Sequence, residues 1–132
     1  CEKLQQLECG NVLWPIYDRK LHDVVDDMFL VDADIVIIEG NWLLLDEDGW
    51  RELRQYSDYS VFITADEATL RPRLIERKIK GGLSPHEAGN FYLHGDGQNV
   101  RRALGNSLDP DLMLLLDETG AYTVLKQRSE RK

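Results

Sequence analysis

Five cations crowd one short stretch of an otherwise acidic chain: Arg71, Arg73, Arg77, Lys78 and Lys80. Arg73 and Arg77 stand four residues apart, a spacing that brings both to one face of a helix. Two guanidiniums on one face can grip the oxygens of a phosphoryl group bidentately and stabilise negative charge as it develops during transfer. Gly81-Gly82, directly after them, would let such a helix swing as a lid. The plainer alternative is a solvated basic face balanced by Asp66, Glu67 and Glu76, which is how an isolated run of charge usually behaves.

A second group follows the apolar run Ile35-Val36-Ile37-Ile38: Glu39-Gly40-Asn41. A carboxylate at the end of a hydrophobic strand can hold magnesium through water, and a glycine beside it lets the backbone turn without blocking phosphates. Capping of a neighbouring helix by Glu39 is the competing role. Tyr17 and His22 flank Asp18-Arg19 in a loop whose shape Pro15 restricts. The ring offers stacking and both side chains offer hydrogen bonds, which suits the wall of a substrate pocket. His86 and His94 are spaced too far apart for a metal-ligand pair and read as structural or surface residues. No Ser-His-Asp set, HExxH or calcium loop occurs, and neither GGLSP nor HGDGQN contains the GxxxxGK[ST] phosphate cradle.

The elements that must position these groups are those of one globular domain. The 132 residues carry a net charge of -8 with a pI near 4.8, which argues against a nucleic-acid surface. Cys1 and Cys9 have neither CxxC spacing nor a His pair nearby, so no zinc site or disulfide framework is implied and a reducing, cytoplasmic setting fits. No apolar stretch nears the roughly 20 residues that a membrane span needs. The opening CEKLQQLECG has neither a starting Met nor a signal-peptide pattern, and reads as an entry into mid-fold.

Leu4 and Leu7 before Gly10 read as the tail of a helix. Residues 11–15 are expected to be extended and 16–19 a loop, followed by a short strand over 28–31. The four consecutive branched aliphatics at 35–38 predict a central parallel strand covered on both faces, with Glu39 at its carboxyl end. Residues 48–56 read as a helix and 58–64 as the next strand. Thr64-Ala65-Asp66-Glu67 has the spacing of a capping box for a helix that runs to Lys80. Ser84-Pro85-His86-Glu87 starts another helix with an N-cap serine, a first-turn proline and a glutamate at the third position. Residues 111–117 form a buried strand, 121–125 an edge strand, and 126–132 a frayed tail. Strands alternating with helices predict a three-layer α/β/α parallel sheet.

In this order, the segments WPIYDRKLHD, DIVIIEGNWLLLDEDGW, LRPRLIERKIKGG and GDGQNVRRALGNS resemble the phosphoribulokinase, uridine kinase and pantothenate kinase family of P-loop kinases. They look most like its branch of fructose transport system kinases. The resemblance runs from Val12 to Leu116, and implies that residues 1–132 are the C-terminal part of one P-loop kinase domain. The phosphate-binding loop and catalytic base would lie outside the chain, so the full protein would be an ATP- and magnesium-using kinase for a small-molecule acceptor, and the chain alone inactive.

By the same resemblance, Tyr17 and His22 match residues that contact a nucleoside, and Glu39 matches the glutamate near magnesium. Arg73 and Arg77 match the lid arginines around the phosphates. Asn106 to Pro110, Asp109 included, match the loop beside adenine. The EGNWLLL extension and the segment from His94 to Asn99 depart from uridine kinases, which leaves the acceptor open. No nucleic-acid or membrane partner is implied, while an exposed sheet edge would favour self-association into a homo-oligomer. Two other readings stand beside the kinase: a nucleotide-binding regulator without turnover, and a structural piece with no ligand site.

Overall fold

The computed structural model describes residues 2–7 and 10–129, grouped in two compact units, Cys1–Gly40 and Asn41–Lys132. Cys1 and Cys9, and with them the expectation of neither a zinc site nor a disulfide framework, lie outside the described residues, as do residues 130–132 of the expected tail.

In the first unit, helix α1 (Glu2–Leu7) stops before Gly10, whose φ of 125° suits a residue without a Cβ. Strands β1 (Val12–Asp18) and β2 (Asp23–Val31) then pair antiparallel, Val12 opposite Val31 and Asp18 opposite Asp23. The expected loop over 16–19 is thus strand as far as Asp18, and the strand expected at 28–31 starts five residues earlier. The cause is the turn. Asp18 accepts hydrogen bonds from the amides of Lys20 (2.7 Å) and Leu21 (3.2 Å), and His22 takes a positive φ of 53°, which together close a hairpin. Pro15 has no amide to give a ladder, and it falls where the register slips between Trp14 and Ile16.

The run at 35–38 corrects the central expectation. It forms no strand, and Ile35 and Ile37 are 81% and 90% exposed. Apolar sequence creates a demand for burial, but a strand also needs a neighbour to take its backbone hydrogen bonds, and among the described residues this run has none. Glu39 consequently stands on an exposed irregular segment rather than at the end of a strand.

The second unit has an α/β fold. A 3-10 turn (Arg51–Tyr56) replaces the longer helix expected at 48–56 and leads to β3 (Val61–Thr64). Helix α2 (Glu67–Lys80) follows, then α3 (Pro85–Phe91), a π-helical turn (Tyr92–Asp96) and α4 (Gly97–Gly105) as one continuous helical stretch over 85–105. Strands β4 (Leu112–Leu116) and β5 (Tyr122–Gln127) complete a sheet of order β3-β4-β5. β3 and β4 are parallel and pair directly, Val61 opposite Leu112, with no strand from the run at 35–38 between them. β5 returns antiparallel, so the sheet is mixed, and Lys126 and Gln127 belong to it instead of to a frayed tail.

Local chemistry explains the helix starts. At α3 the predicted capping box is complete: the Ser84 hydroxyl accepts from the Glu87 amide at 3.3 Å, and Glu87 accepts from the Ser84 amide at 2.9 Å. At α2 the box expected from Thr64 does not form, because Thr64 is committed to β3 and the N-cap is Asp66. The buried centre holds Leu45, Ala65, Ala88 and Tyr92 together with two polar residues, Ser60 and Asp111. Asp111 accepts from the Ser60 amide and hydroxyl, both at 2.9 Å, from Arg54 at 2.7 Å and from Arg128 at 2.9 Å. Those donors hold its carboxyl well below the usual carboxylate range, that of Arg128 contributing most. One buried anion thereby ties the 3-10 turn, the entry to β3 and the exit from β5 to the start of β4.

Candidate active site

The parallel pair defines where to look, since ligands of open α/β sheets sit beyond the carboxyl ends of the strands. β3 ends at Thr64 and feeds directly into α2, while β4 ends at Leu116, next to Asp117. Asp117 shapes the turn there by accepting from the amides of Thr119 (2.8 Å) and Ala121 (2.9 Å). Arg73 reaches across from α2 to this turn and donates to the carbonyls of Asp117 (3.0 Å) and Glu118 (3.1 Å). Its guanidinium therefore anchors the cationic helix at the carboxyl end of β4.

Two further contacts hold α2. Glu67, in its first turn, accepts from the Tyr92 hydroxyl at 2.8 Å and from Arg101 at 2.7 Å, with Arg71 stacked 5.7 Å from the Tyr92 ring centre. Burial pushes the Tyr92 phenol above its ordinary pKa, and the Glu67 carboxylate adds to the effect. In its last turn, Lys78 lies 3.5 Å from the centre of the Phe91 ring and 3.8 Å from Asp96. Lys80 pairs with Glu76 at 2.8 Å. Arg77 lies 3.7 Å from Asp96 and is 67% exposed. Gly82 has a φ of 102°, so the glycine pair does make the tight turn that separates α2 from α3.

The other residues singled out in the sequence divide between the units. Tyr17 is exposed on β1 opposite Val24, His22 is the positive-φ turn residue, and Glu39 is exposed; all three belong to the first unit. Asn106 and Asp109 share the second unit with Arg73 and Arg77 but precede β4. Five residues of strand, about 17 Å, separate that end from the turn that Arg73 grips. Asn106 donates to the Glu47 carboxylate at 3.2 Å, and Asp109 pairs with Lys126.

Asn106 belongs to a bracket that sequence reasoning missed. The EGNWLLL extension continues into a turn that docks on the end of α4: Leu108 donates to the Leu44 carbonyl at 2.7 Å, Asp46 to the Asn106 carbonyl at 2.8 Å, and Leu45 is fully buried. Arg102 pairs with Glu47 while stacking 5.1 Å from the Trp42 ring centre, and that hydrogen bond is the largest cause of the lowered Glu47 pKa. The signal was present in the density of Trp, Leu and acid between 42 and 50. Asp96, in HGDG, was also passed over. Among the described residues no three His, Cys, Asp or Glu side chains gather as a metal site. The segment that carries Glu39 also holds Asp32 and Asp34, and no such cluster forms there among the described residues.

The comparisons agree with this architecture. No family model matches the chain. It is 49% identical over 121 residues to YggC of Escherichia coli (strain K12), covering 92% of this chain and 51% of that protein. It is 29% identical over 104 residues to the "Putative uridine kinase C227.14" of Schizosaccharomyces pombe, covering 76% and 44%. Among solved structures, a "putative fructose transport system kinase" from Silicibacter sp. TM1040 superposes with a TM-score of 0.74 at 30% identity, over 85% of this chain and 58% of that one. The chain is similar to kinase-like proteins over most of its length. YFH7 from Saccharomyces cerevisiae, described as "a putative P-loop containing kinase with a circular permutation", also matches at a TM-score of 0.63 and 21% identity, over 80% and 35%, a likeness of fold alone. This kinase-related chain spans about half or less of the length of the curated relatives it matches.

Proposed function

We propose that the protein carrying this chain transfers a phosphoryl group from ATP to a small hydroxylated metabolite such as a sugar, nucleoside or pantothenate-like alcohol. The observation that carries the reading is Arg77: an exposed guanidinium on a cationic helix that Arg73 anchors at the carboxyl end of a parallel strand pair. In such a transfer the acceptor oxygen forms a bond to the γ-phosphorus as the bond to ADP breaks, and negative charge spreads over the equatorial oxygens. Arg77 would stabilise that charge, and Arg73 would keep the helix in place. Relatives that include pantothenate kinases support the reaction class. The chain's own motifs supply neither the phosphate cradle nor the base that takes the acceptor proton, so the 132 residues alone would not turn over. ATP, with magnesium, would be the nucleotide, and the setting cytoplasmic; among the described residues no helix is long and apolar enough to cross a membrane.

Incubating the full protein with magnesium-ATP and panels of sugars, nucleosides and pantothenate, with ADP release as readout, tests the proposal. Release that depends on one acceptor class is the expected result. A second reading, nucleotide binding without turnover, draws on Arg73, whose guanidinium is committed to two carbonyls and leaves one arginine where a phosphate clamp would use two. Tight ATP binding with no acceptor-dependent release would favour it.

A further inference from the structure

The HGDG segment that the kinase reading leaves unused builds an uncommon feature, a π-helical turn in the middle of the helical stretch 85–105. Such turns concentrate at functional positions because they re-aim one side chain at the expense of regular hydrogen bonding. The last residue of this turn is Asp96. Its carboxylate is largely buried, and Oδ2 is fully shielded from solvent without a hydrogen-bond partner among the described residues. A carboxylate in that position is costly unless charge compensates it. The nearest compensating charges are on α2: Lys78 Nζ at 3.8 Å and Arg77 Nη2 at 3.7 Å.

The two cations are not equivalent. Lys78 is packed on Phe91 and mostly covered, so it neutralises Asp96 in place. Arg77 is mostly exposed and too distant for a hydrogen bond, so Asp96 attracts it without consuming its donors. The turn is also shape-determined: a Cβ on Gly97 would lie 2.9 Å from both the ring and the carbonyl of Tyr92, a residue that is itself clamped to Glu67 on α2. The position of Asp96 is therefore set by the same contacts that set α2.

Resting on the proposed phosphoryl transfer, we infer that Asp96 is a positioning residue, which holds the exposed Arg77 guanidinium in place at the last turn of α2, ready to move onto an incoming phosphate. The conformational device is a side-chain exchange. Arg73, Glu67 and Lys78 anchor α2 itself, so the group that travels is the Arg77 side chain, from a buried carboxylate to phosphoryl oxygens.

A double-mutant cycle in the full protein tests this, with Asp96→Asn, Arg77→Ala and the pair, read as kcat/KM for ATP and as thermal midpoint. Asp96→Asn is expected to lower kcat/KM about tenfold, and to add little on top of Arg77→Ala, because coupled residues are non-additive. Losses that multiply, or an Asp96→Asn protein with unchanged kcat/KM, overturn the inference whatever happens to the midpoint. If Asp96→Asn does not fold, Asp96→Glu, which keeps the charge and shifts it by one methylene, enters the same cycle with a smaller coupled loss expected. If the wild type turns over no acceptor, the kinase reading fails separately. The cycle is then read by calorimetry with inorganic tripolyphosphate, where coupling between positions 96 and 77 upholds the positioning role and independence, or no measurable binding, sinks it.

Discussion

Arg73 and Arg77 are one helical turn apart and chemically identical, yet their surroundings give them different work. Arg73 spends two hydrogen bonds on carbonyls at the end of β4, whereas Arg77 makes no side-chain hydrogen bond among the described residues. Replacing Arg77 with alanine in the full protein should lower kcat by roughly 10²-fold, the loss typical of one donor to transition-state charge, and shift stability by no more than a few tenths of a kcal/mol. Arg73→Ala should instead cost about 2 kcal/mol of stability, as charged donors to carbonyls do. Measuring kcat beside the unfolding midpoint of both variants separates these roles, and a reversed pattern would exchange the assignments. The sequence placed both arginines on one face through their spacing. Which of them is tied down depends on a turn more than 40 residues away, which no local pattern encodes.

At the level of elements, glycines discriminate between a helix that merely tolerates them and a turn that requires one. Gly97→Ala would press a methyl group against Tyr92 and should destabilise by roughly 1–3 kcal/mol, as overpacking does. Gly89→Ala, inside α3 with nothing within 4 Å of the new carbon, should stabilise by about 0.5–1 kcal/mol through helix propensity. Chemical denaturation of the two variants reads the difference, and equal effects would mean that the π-helical turn relaxes on substitution. The helix starts show what local sequence can carry. Ser84 to Glu87 is self-contained, so its capping box forms as read, whereas Thr64 had two possible uses and strand pairing took it. The hairpin of the first unit was under-read for a related reason: its strands support each other across the turn, and neither half shows that alone.

For the molecule as a whole, Asp111 is the clearest source of pH dependence. Its carboxyl is held well below the ordinary range in the folded state, so the folded protein binds fewer protons than the unfolded chain. Its contribution is fully present above the unfolded carboxylate value, near 3.9, and is lost as pH falls from there toward the depressed folded value. The thermal midpoint should therefore drop steeply below about pH 4. Asp111→Asn should cost roughly 3 kcal/mol at neutral pH, as breaking a buried ion pair does, and flatten that acid limb. A mutant with the wild-type acid profile would assign the effect to other carboxylates. Calorimetry of the 132-residue chain with magnesium-ATP should show at most weak binding, because the sequence lacks the loop whose amides cradle β- and γ-phosphates. Micromolar affinity would show that α2 and its neighbours suffice.

The sequence by itself determined the elements whose signals are local: the Gly10 stop, the Ser84 cap, the end of α2 at Lys80, and the existence of strands near 60–64 and 112–116. It also carried the resemblance to kinases that the relatives and the solved structure bear out. Tertiary structure alone decided what depends on distant partners. Four branched aliphatics at 35–38 state a preference for burial, but only a neighbouring strand can satisfy their backbone, and the described residues supply none. Asp111 and Asp96 look in sequence like any other acid; burial gave one four donors and left the other with an unpartnered oxygen facing two cations, because the worth of a charge is set by the solvent and charges that the fold brings to it.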